Sequence, residues 1–307
     1  MKESNPTITV SMISYNDEGI LDECLASIRN QDYDQRLINI LMVDGGSTDA
    51  TLKIAEKYGA TIIYRPDLKD KPYIRGGMAF SVPQADLILF FSADNRLQEQ
   101  DTLSRMVETF LDENTAGCET LRYGFRRTDP IISRYFALIG GADPIAVGLG
   151  KADRASYDDR GWHSFGEVTD CGNHYKVRFS GDVSKIPTLG ANGFLFRRKL
   201  VEKSSLTVHA AHIDICVDLI RQGYNQFAFV KDRHVIHFIN VKLISFIKRR
   251  LLYAKMYSGE SINRIYSVFH AKDLPRLLYI IVFYPTFVIP TLRAMKGYMV
   301  VRDPAWF

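Results

Sequence analysis

The feature that most constrains the fold is an alternation of short apolar runs with amphipathic segments over the first hundred residues. The runs 7–14 and 38–44 are apolar and β-branched, which predicts buried strands, whereas residues 18–31 carry apolar side chains at helical spacing. Further apolar runs over 60–66 and 85–94 give four predicted strands. Strands that alternate with helices predict an α/β fold with a doubly wound, mostly parallel sheet flanked by helices.

Each predicted strand ends on polar side chains. These ends hold residues 14–18, 44–47, 65–67 and 94–95. Ligands of a doubly wound sheet bind outside the carboxyl ends of its strands, so these groups form a candidate site, although each one alone is also an ordinary cap or turn former. No glycine-rich dinucleotide or P-loop motif follows a strand. A divalent cation held by a carboxylate would therefore neutralise any bound phosphate.

Composition and charge narrow the class of protein. The 307 residues give room for one large or two ordinary domains. The composition, 46% hydrophobic, is enough to bury a core. Four cysteines without a CxxC pair argue against a zinc site or a disulfide framework and favour a reducing compartment. The polar residues 1–7 predict that no signal peptide precedes the first strand, which places the catalytic part in the cytosol. We expect no nucleic-acid partner, and the sequence leaves a homo-oligomer open.

Three segments together resemble a known family. SYNDEG (14–19), VDGGSTD (43–49) and FFSADN (90–95) agree in order and spacing with the nucleotide-binding half of family-2 glycosyltransferases with the GT-A fold. The resemblance is specific over residues 8–98 and extends in outline to about residue 237. It implies an inverting enzyme that uses a nucleotide-diphosphate sugar.

The resemblance also implies a domain organisation. We expect a GT-A catalytic domain over residues 1–240, with the nucleotide-binding half at about 1–98 and the acceptor half at about 99–240. Residues 241–307 would form a separate set of basic, hydrophobic C-terminal helices.

The resemblance assigns roles to the strand ends. The base and ribose of the nucleotide would be contacted by the ends of the first two strands, at Ser14, Tyr15, Asn16, Glu18, Asp44 and Gly45. Either Lys71 or Arg75 would touch the diphosphate. The alternative for Arg75 is a surface position in a loop that contains two glycines.

The fourth strand end would hold the metal. Ser92 stands where the family's DxD-type motif has its first acid, so Asp94 would be the direct ligand of Mg²⁺ or Mn²⁺ that bridges the diphosphate. Ala93 belongs to the same donor-binding stretch, and Asn95 would orient a phosphate oxygen or the ribose. With one carboxylate missing, the diphosphate itself would complete the octahedron, and metal affinity without nucleotide should be weak.

The second half would supply the rest of the chemistry. The loop 190–193 would let its backbone approach a hexose, and Asn192 offers a donor and an acceptor to sugar hydroxyls, although a simple turn is the alternative. The family's acidic catalytic pair falls at Ala211 and His212. We predict Asp214, at the start of a helix, as the general base, with His212 as its rival and an N-cap as the structural alternative. His237, better placed than His234, would be a further metal ligand.

The tail differs in composition from the rest of the chain. Residues 241–307 carry 11 Lys or Arg against 3 Asp or Glu, and the segment 277–292 is 16 residues long without a charge. A straight membrane span takes about 20 residues, and Pro285 and Pro290 interrupt this segment. Interfacial or re-entrant helices at an anionic membrane surface are therefore predicted, with a buried core hairpin or a dimer interface as the alternative.

These observations predict a metal-dependent glycosyltransferase that uses a UDP- or GDP-sugar. The acceptor would be lipid-linked, either a polyprenyl phosphate or a lipid-linked glycan, at the cytoplasmic face of the cell membrane, to which the protein would bind in a peripheral or monotopic manner. A polyprenyl phosphate acceptor would need no base, because its oxygen is already ionised. The alternatives are a soluble polysaccharide glycosyltransferase and a non-catalytic module that binds nucleotide sugars or glycans. A nucleotidyltransferase is disfavoured because the loop after strand one is acidic.

Overall fold

The structure, a computed structural model, describes residues 5–158, 166–204, 212–239, 244–248, 251 and 264–307. Within these residues ten strands form one sheet. The strands are β1 (Ile8–Ser14), β2 (Ile38–Asp44), β3 (Thr61–Tyr64), β4 (Leu87–Phe90), β5 (Asn95–Leu97), β6 (Thr115–Gly124), β7 (Gly166–Asp170), β8 (His174–Phe179), β9 (Phe194–Arg197) and β10 (Gln226–His237).

Helices cover both faces of the sheet and extend beyond it. In chain order they are α1 (Glu18–Arg29), α2 (Thr51–Lys57), α3 (Pro72–Ser81), α4 (Thr102–Glu108), α5 (Ile131–Ile139), α6 (Pro144–Leu149), α7 (Arg198–Val201), α8 (His212–Arg221), α9 (Leu274–Phe283) and α10 (Val288–Val300). The α/β class predicted from the sequence is confirmed.

The order of the strands is β3-β2-β1-β4-β9-β6-β10-β8-β7, and β5 pairs with the outer part of β10. The ladders among β1 to β4 are parallel, as predicted. The prediction of a mostly parallel sheet is wrong for part of the second half. There β6 and β10 are parallel, but β9 runs antiparallel to both β4 and β6, and β8 runs antiparallel to β7 and β10. One reason is local: only the short turn 171–173 joins β7 to β8, and so short a connection can form only an antiparallel hairpin.

Two apolar layers hold the sheet. On one face α1 packs Leu21, Cys24 and Leu25 against Val10 and Met12 of β1, all fully buried. On the other face α8 packs against a group of aromatic rings from β8, β9 and β10, which includes Phe179, Phe194, Phe196 and Phe227. The sequence of β4, LILF, is continuously apolar, as expected of a strand covered on both faces, whereas β1 alternates apolar residues with the buried polar residues Thr9 and Ser11. This packing fixes the strand ends, where the polar residues lie.

The C-terminal helices lie outside these layers. No residue of α9 is buried, and in α10 only Ala294 and Gly297 are. The alternative of a buried core hairpin is therefore wrong. The pair is tied to the rest of the chain through an apolar cluster that includes Ala294 and Phe136, and through polar side chains, among them Arg293, whose Nε lies 3.0 Å from Asp158 Oδ2.

The length and hydropathy of a helix decide whether it can cross a bilayer. Taken one at a time, none of the described helices is both long enough and apolar enough to cross it. The segments Ala271–Thr286 and Val288–Val300 reach that length and hydropathy only together, and their axes meet at 86°.

Candidate active site

The candidate site lies where β1, β2 and β4 end, because parallel strands bring their carboxyl ends to one edge. Ser14 and Asp44 are register partners at the ends of β1 and β2. The Asp44 carboxylate is fully buried. Its Oδ1 accepts the N–H groups of Gly46 and Ser47 at 2.8 and 2.7 Å, and its Oδ2 accepts the hydroxyls of Ser14 and Ser47 at 2.8 and 2.5 Å. Asp44 therefore orders the loop after β2, and its contact with a base or ribose stays a prediction.

The loop after β1 is fastened to the loop after β2. Asn16 adopts a left-handed φ of 53°, and its Oδ1 accepts the Thr48 N–H at 2.9 Å. Its own N–H donates to Ser47 Oγ at 2.9 Å. Glu18 Oε2 accepts the Ala50 N–H at 2.9 Å. The predicted nucleotide contacts Asn16 and Glu18 thus hold the two loops together.

Arg75 lies beneath these loops. The surface-loop alternative for Arg75 is wrong, because residues 72–81 form α3 and the Arg75 side chain is buried. Its guanidinium donates to the Ser14 carbonyl and, at 3.3 Å, to the Lys69 carbonyl. Burial lowers the pKa of Arg75 from its ordinary value. Lys71, exposed just before α3, is the cation of this pair that a diphosphate can reach.

The Arg75 guanidinium that donates to the Ser14 carbonyl also leaves no room for a side chain at Gly45. A Cβ at position 45 would lie 2.6 Å from Arg75 Nη1, closer than two such atoms can approach. The sequence pattern alone gave no reason for this glycine beyond a turn. On the open side of the loops, the Tyr15 ring lies 5.0 Å from Lys69 Nζ. Tyr15 and Lys69 thus carry an aromatic face and a positive charge at the edge of the candidate site.

Asp94 and His237 come together from distant parts of the chain. Strand β5 pairs with β10 so that Asn95 is opposite His237, and the Phe238 N–H donates to the Asp94 carbonyl at 2.7 Å. His237 Nε2 lies 3.3 Å from Asp94 Oδ2, and both side chains are partly exposed. His234 is held elsewhere, with Nδ1 2.9 Å from Glu99 Oε1. Of the two histidines, only His237 is at the candidate site.

The side chains around Asp94 include ligands that suit a divalent ion. A carboxylate and an imidazole are suitable ligands for Mn²⁺, and a carboxylate with phosphate oxygens suits Mg²⁺. In the described part of the chain, no three His, Cys, Asp or Glu side chains gather closely enough to hold a metal. Asp94 and His237 therefore fit an ion that takes its remaining ligands from a diphosphate and water.

The loop 190–193 reaches the same place. Asn192 adopts a left-handed φ of 52°, and its Oδ1 accepts from Asn95 Nδ2 at 3.3 Å. Asn95 follows Ala93 and Asp94 directly, so the loop predicted to contact the sugar meets the stretch predicted to hold the metal. The structure brings Asp94, Asn95, Asn192 and His237 into one cluster.

His212 and Asp214 open α8 but face different surroundings. The His212 ring stacks on Phe90, with centroids 5.8 Å apart, and its carbonyl abuts the loop at Gly190. Burial, together with the charge of Arg264, lowers the pKa of His212 to about 4, so the imidazole is neutral at pH 7. Ala211 lies outside the described residues.

The expectation that Asp214 faces the cleft is corrected by its contacts. Its carboxylate is fully buried and lies 2.8 Å from Arg264 Nε. Its Oδ1 accepts the N–H groups of Ile265 and Tyr266 at 3.0 and 2.9 Å. Asp214 anchors the segment that leads into the C-terminal helices. The sequence could not show this, because the partners of Asp214 lie about fifty residues away.

Asp17 is the group at this site to which the sequence analysis assigned no role. Burial, with smaller contributions from the negative charges of Asp94, Asp49 and Asp44, raises the pKa of Asp17 to about 6. Its Oδ2 accepts the Tyr15 N–H at 3.1 Å. The site thus concentrates negative charge that a cation would neutralise.

Comparison with known proteins identifies the family. The family model described as "Glycosyl transferase family 2" matches residues 9–203, more than half of the chain. The chain belongs to glycosyl transferase family 2.

Named relatives of this chain carry glycosyltransferase descriptions. A "PGL/p-HBAD biosynthesis glycosyltransferase" of Mycobacterium bovis is 32% identical over 113 residues, 36% of this chain. A relative of the same description from Mycobacterium tuberculosis matches to the same extent. The chain spans 43% of the length of these relatives.

Solved structures show the fold. The mannosyltransferase PcManGT from Pyrobaculum calidifontis, in complex with GDP-Man and Mn²⁺, superposes with a TM-score of 0.54 at 14% identity, over 99% of this chain and 78% of that one. S. aureus TarS 1–349 in complex with UDP superposes with a TM-score of 0.52 at 16% identity, over 97% of this chain and 82% of that one. These likenesses confirm a central sheet flanked by helices, as in GT-A glycosyltransferases.

The raised pKa of Asp17 gives a stability prediction. The folded protein binds this proton more tightly than the unfolded chain, so ionisation of Asp17 lowers stability as pH rises from about 4 through 6. Asp17→Asn should leave the free energy of unfolding nearly unchanged at about pH 4 and raise it by about 1 kcal/mol at about pH 7.5, because solvent screens a partly exposed group. Urea unfolding across this pH range measures the difference.

Asp49→Asn is the matched control, with the opposite sign. Although burial opposes it, hydrogen bonds from Thr51 and from the Glu18 N–H lower the pKa of Asp49. Asp49→Asn should therefore destabilise the protein near pH 7.5. A loss of stability in Asp17→Asn at that pH would contradict the account of Asp17.

Proposed function

We propose that this glycosyltransferase is an inverting enzyme that transfers a sugar from a UDP- or GDP-sugar, with Mn²⁺ or Mg²⁺ held by Asp94 and His237. The observation that carries the proposal is the 3.3 Å approach of the His237 imidazole to the Asp94 carboxylate at the ends of the strands. The titles of two structures with the same fold support it. PcManGT was solved with GDP-Man and Mn²⁺, and TarS 1–349 with UDP.

The residues around the proposed metal site would have separate roles. A divalent ion, when bound, offsets the charge that develops on the departing diphosphate. Asp94 and His237 hold its position. Lys71 and Lys69 add positive charge near the nucleotide edge of the site. Asn95 and Asn192 present amides where the donor sugar would lie.

Neither predicted base is well suited to take the proton of an acceptor hydroxyl at pH 7. A pKa lowered to about 4 makes the His212 imidazole a weak base, and the Asp214 carboxylate is occupied by Arg264 and two backbone N–H groups. An acceptor phosphate would need no such base, because its oxygen is already ionised.

Activity tests the metal site. Release of UDP or GDP from a panel of nucleotide sugars with Mn²⁺ should fall about 100-fold in Asp94→Ala, because an electrostatic contact to the leaving group is lost. His237→Ala should need a higher Mn²⁺ concentration, which electron paramagnetic resonance of Mn²⁺ with UDP measures as weaker binding. Asp232→Ala, an exposed carboxylate of the same strand as His237, is the control and should behave as wild type.

Two results would decide against the assignment. Unchanged turnover in Asp94→Ala removes the metal role of this residue. Tight nucleotide binding by the wild type without turnover of any donor supports the non-catalytic binding module instead.

We further propose that the acceptor is lipid-linked and that α9 and α10 lie on the cytoplasmic face of a membrane, as a peripheral or monotopic contact. Large apolar side chains on both helices and on the bend between them are exposed to solvent, including Leu278, Ile281, Val282, Phe283, Phe287 and Val288. The bend at Phe287, with a φ of 61°, produces the 86° angle between the helices, which suits a wedge in one leaflet. The exposed Arg276, Lys296 and Arg302 flank it and match anionic lipid, whereas Lys272 and Arg293 are paired with Asp182 and Asp158.

Vesicle binding tests the membrane contact. Wild-type protein should float with phosphatidylglycerol vesicles and be released by about 0.5 M salt, because added ions screen the basic flanks. The double variant Ile281→Asp and Phe287→Asp should lose at least about tenfold in binding, since two exposed apolar groups become charged. Leu111→Asp, an 81% exposed apolar residue outside the helix pair, is the control and should still float.

A dimer interface would give a different pattern. In that case wild-type protein would not bind vesicles, and the double variant would convert a dimer into a monomer in light scattering. That result would overturn the proposed membrane contact.

A further inference from the structure

A chain of hydrogen-bonded side chains extends from the candidate site into the core. Asn95 Nδ2 donates to Asn192 Oδ1 at 3.3 Å, and Asn192 Nδ2 donates to the Tyr123 hydroxyl at 2.9 Å. The Tyr123 hydroxyl in turn donates to Asp153 Oδ2. These four side chains come from β5, the loop before β9, β6 and the segment after α6. No single stretch of sequence contains them.

The hydrogen bonds in this series all run in one direction, with donors on the Asn95 side and acceptors on the Asp153 side. Because Asp153 ends the series as an acceptor, the Tyr123 hydroxyl must donate to it, and that hydroxyl can then only accept from Asn192. This order fixes which end of the Asn192 amide faces Asn95. It leaves Asn95 Oδ1 as a buried acceptor with no hydrogen-bond partner among the described residues.

A buried ion pair holds the same loop from below. Arg154 and Glu119 form an ion pair in which both side chains are fully buried. Arg154 Nη2 also donates to the Asn192 carbonyl at 3.1 Å. A buried ion pair costs desolvation free energy, and a left-handed asparagine adds backbone strain. The ion pair and the left-handed backbone both occur at the loop that meets Asn95. Their combined cost indicates that the position of Asn192 matters.

We propose that Tyr123 and Asp153 are positioning residues for the transfer reaction: they set the amide of Asn192, and through it the amide of Asn95, for the nucleotide sugar. The inference rests on the proposed function. An acceptor such as Asn95 Oδ1, buried without a partner in the described part of the chain, is costly unless a ligand donates to it, and a sugar hydroxyl is such a donor. Prealignment of both amides would reduce the cost of ordering the site when the donor binds.

A comparison of two tyrosine variants tests the positioning role of Tyr123. Tyr157 provides the matched control, because its hydroxyl also makes one hydrogen bond in this region, to the Tyr123 carbonyl at 2.8 Å, yet it is outside the chain of side chains. Tyr123→Phe should lower kcat/KM for the donor about 10- to 100-fold, and Tyr157→Phe less than about threefold. Asp153→Asn, which can still accept from Tyr123, should retain more activity than Asp153→Leu.

A double-mutant cycle separates positioning from general stability. If Tyr123 acts through Asn192, Tyr123→Phe should add almost nothing to Asn192→Ala. Hydrogen exchange of a peptide covering residues 189–195 should become faster in Tyr123→Phe and stay unchanged in Tyr157→Phe. This second readout needs no turnover.

The outcomes are distinct. If the kcat/KM of Tyr123→Phe lies within threefold of wild type, or if the effects of the two substitutions multiply, the proposal is overturned, even where hydrogen exchange has changed. A wild type that turns over no donor contradicts the proposed function instead. Unchanged exchange in Tyr123→Phe would overturn the positioning of the loop in either case.

Discussion

The buried carboxylate of Asp44 is the contact on which the rest of the site depends. It accepts four hydrogen bonds from Ser14, Gly46 and Ser47, and so joins the ends of β1 and β2. Asn16 closes the same two loops from outside, and Arg75 lies beneath them. A site built in this way is ordered before any ligand arrives, because the loops need no further ordering when the nucleotide binds.

The segment 151–158 links that site to the tail. Arg154 and Asp153 hold the loop that carries Asn192, directly and through Tyr123. The same segment binds the C-terminal part at two points: Lys151 pairs with Asp273, and Asp158 with Arg293. Asp214 adds a third tie through Arg264. The C-terminal helices are therefore connected to the rest of the chain through these ion pairs and through an apolar cluster in which Ala294 and Trp306 pack with Phe136.

The sequence predicted what depends on local pattern. The four parallel strands follow from apolar runs, and Asp94 and His237 follow from their places at strand ends. Helix α3 was not predicted, because Gly76 and Gly77 are typical of a loop, whereas in the structure both glycines are buried within the helix beside Ala79 and Phe80. The anchoring of Asp214 and the chain through Tyr123 and Asp153 depend on tertiary contacts between distant segments. Neither leaves a periodic or spacing signal in the sequence.

The central claim is that the Asp94 carboxylate, in the turn just before β5, and the His237 imidazole, at the end of β10, hold a metal against a nucleoside diphosphate. The most direct measurement is anomalous scattering at the manganese edge from crystals grown with Mn²⁺ and UDP or GDP. The account predicts one manganese peak within bonding distance, about 2.0–2.4 Å, of both Asp94 and His237, with a diphosphate oxygen on the same ion. A bound nucleotide with no manganese peak there, or with the ion held by other side chains, would contradict it.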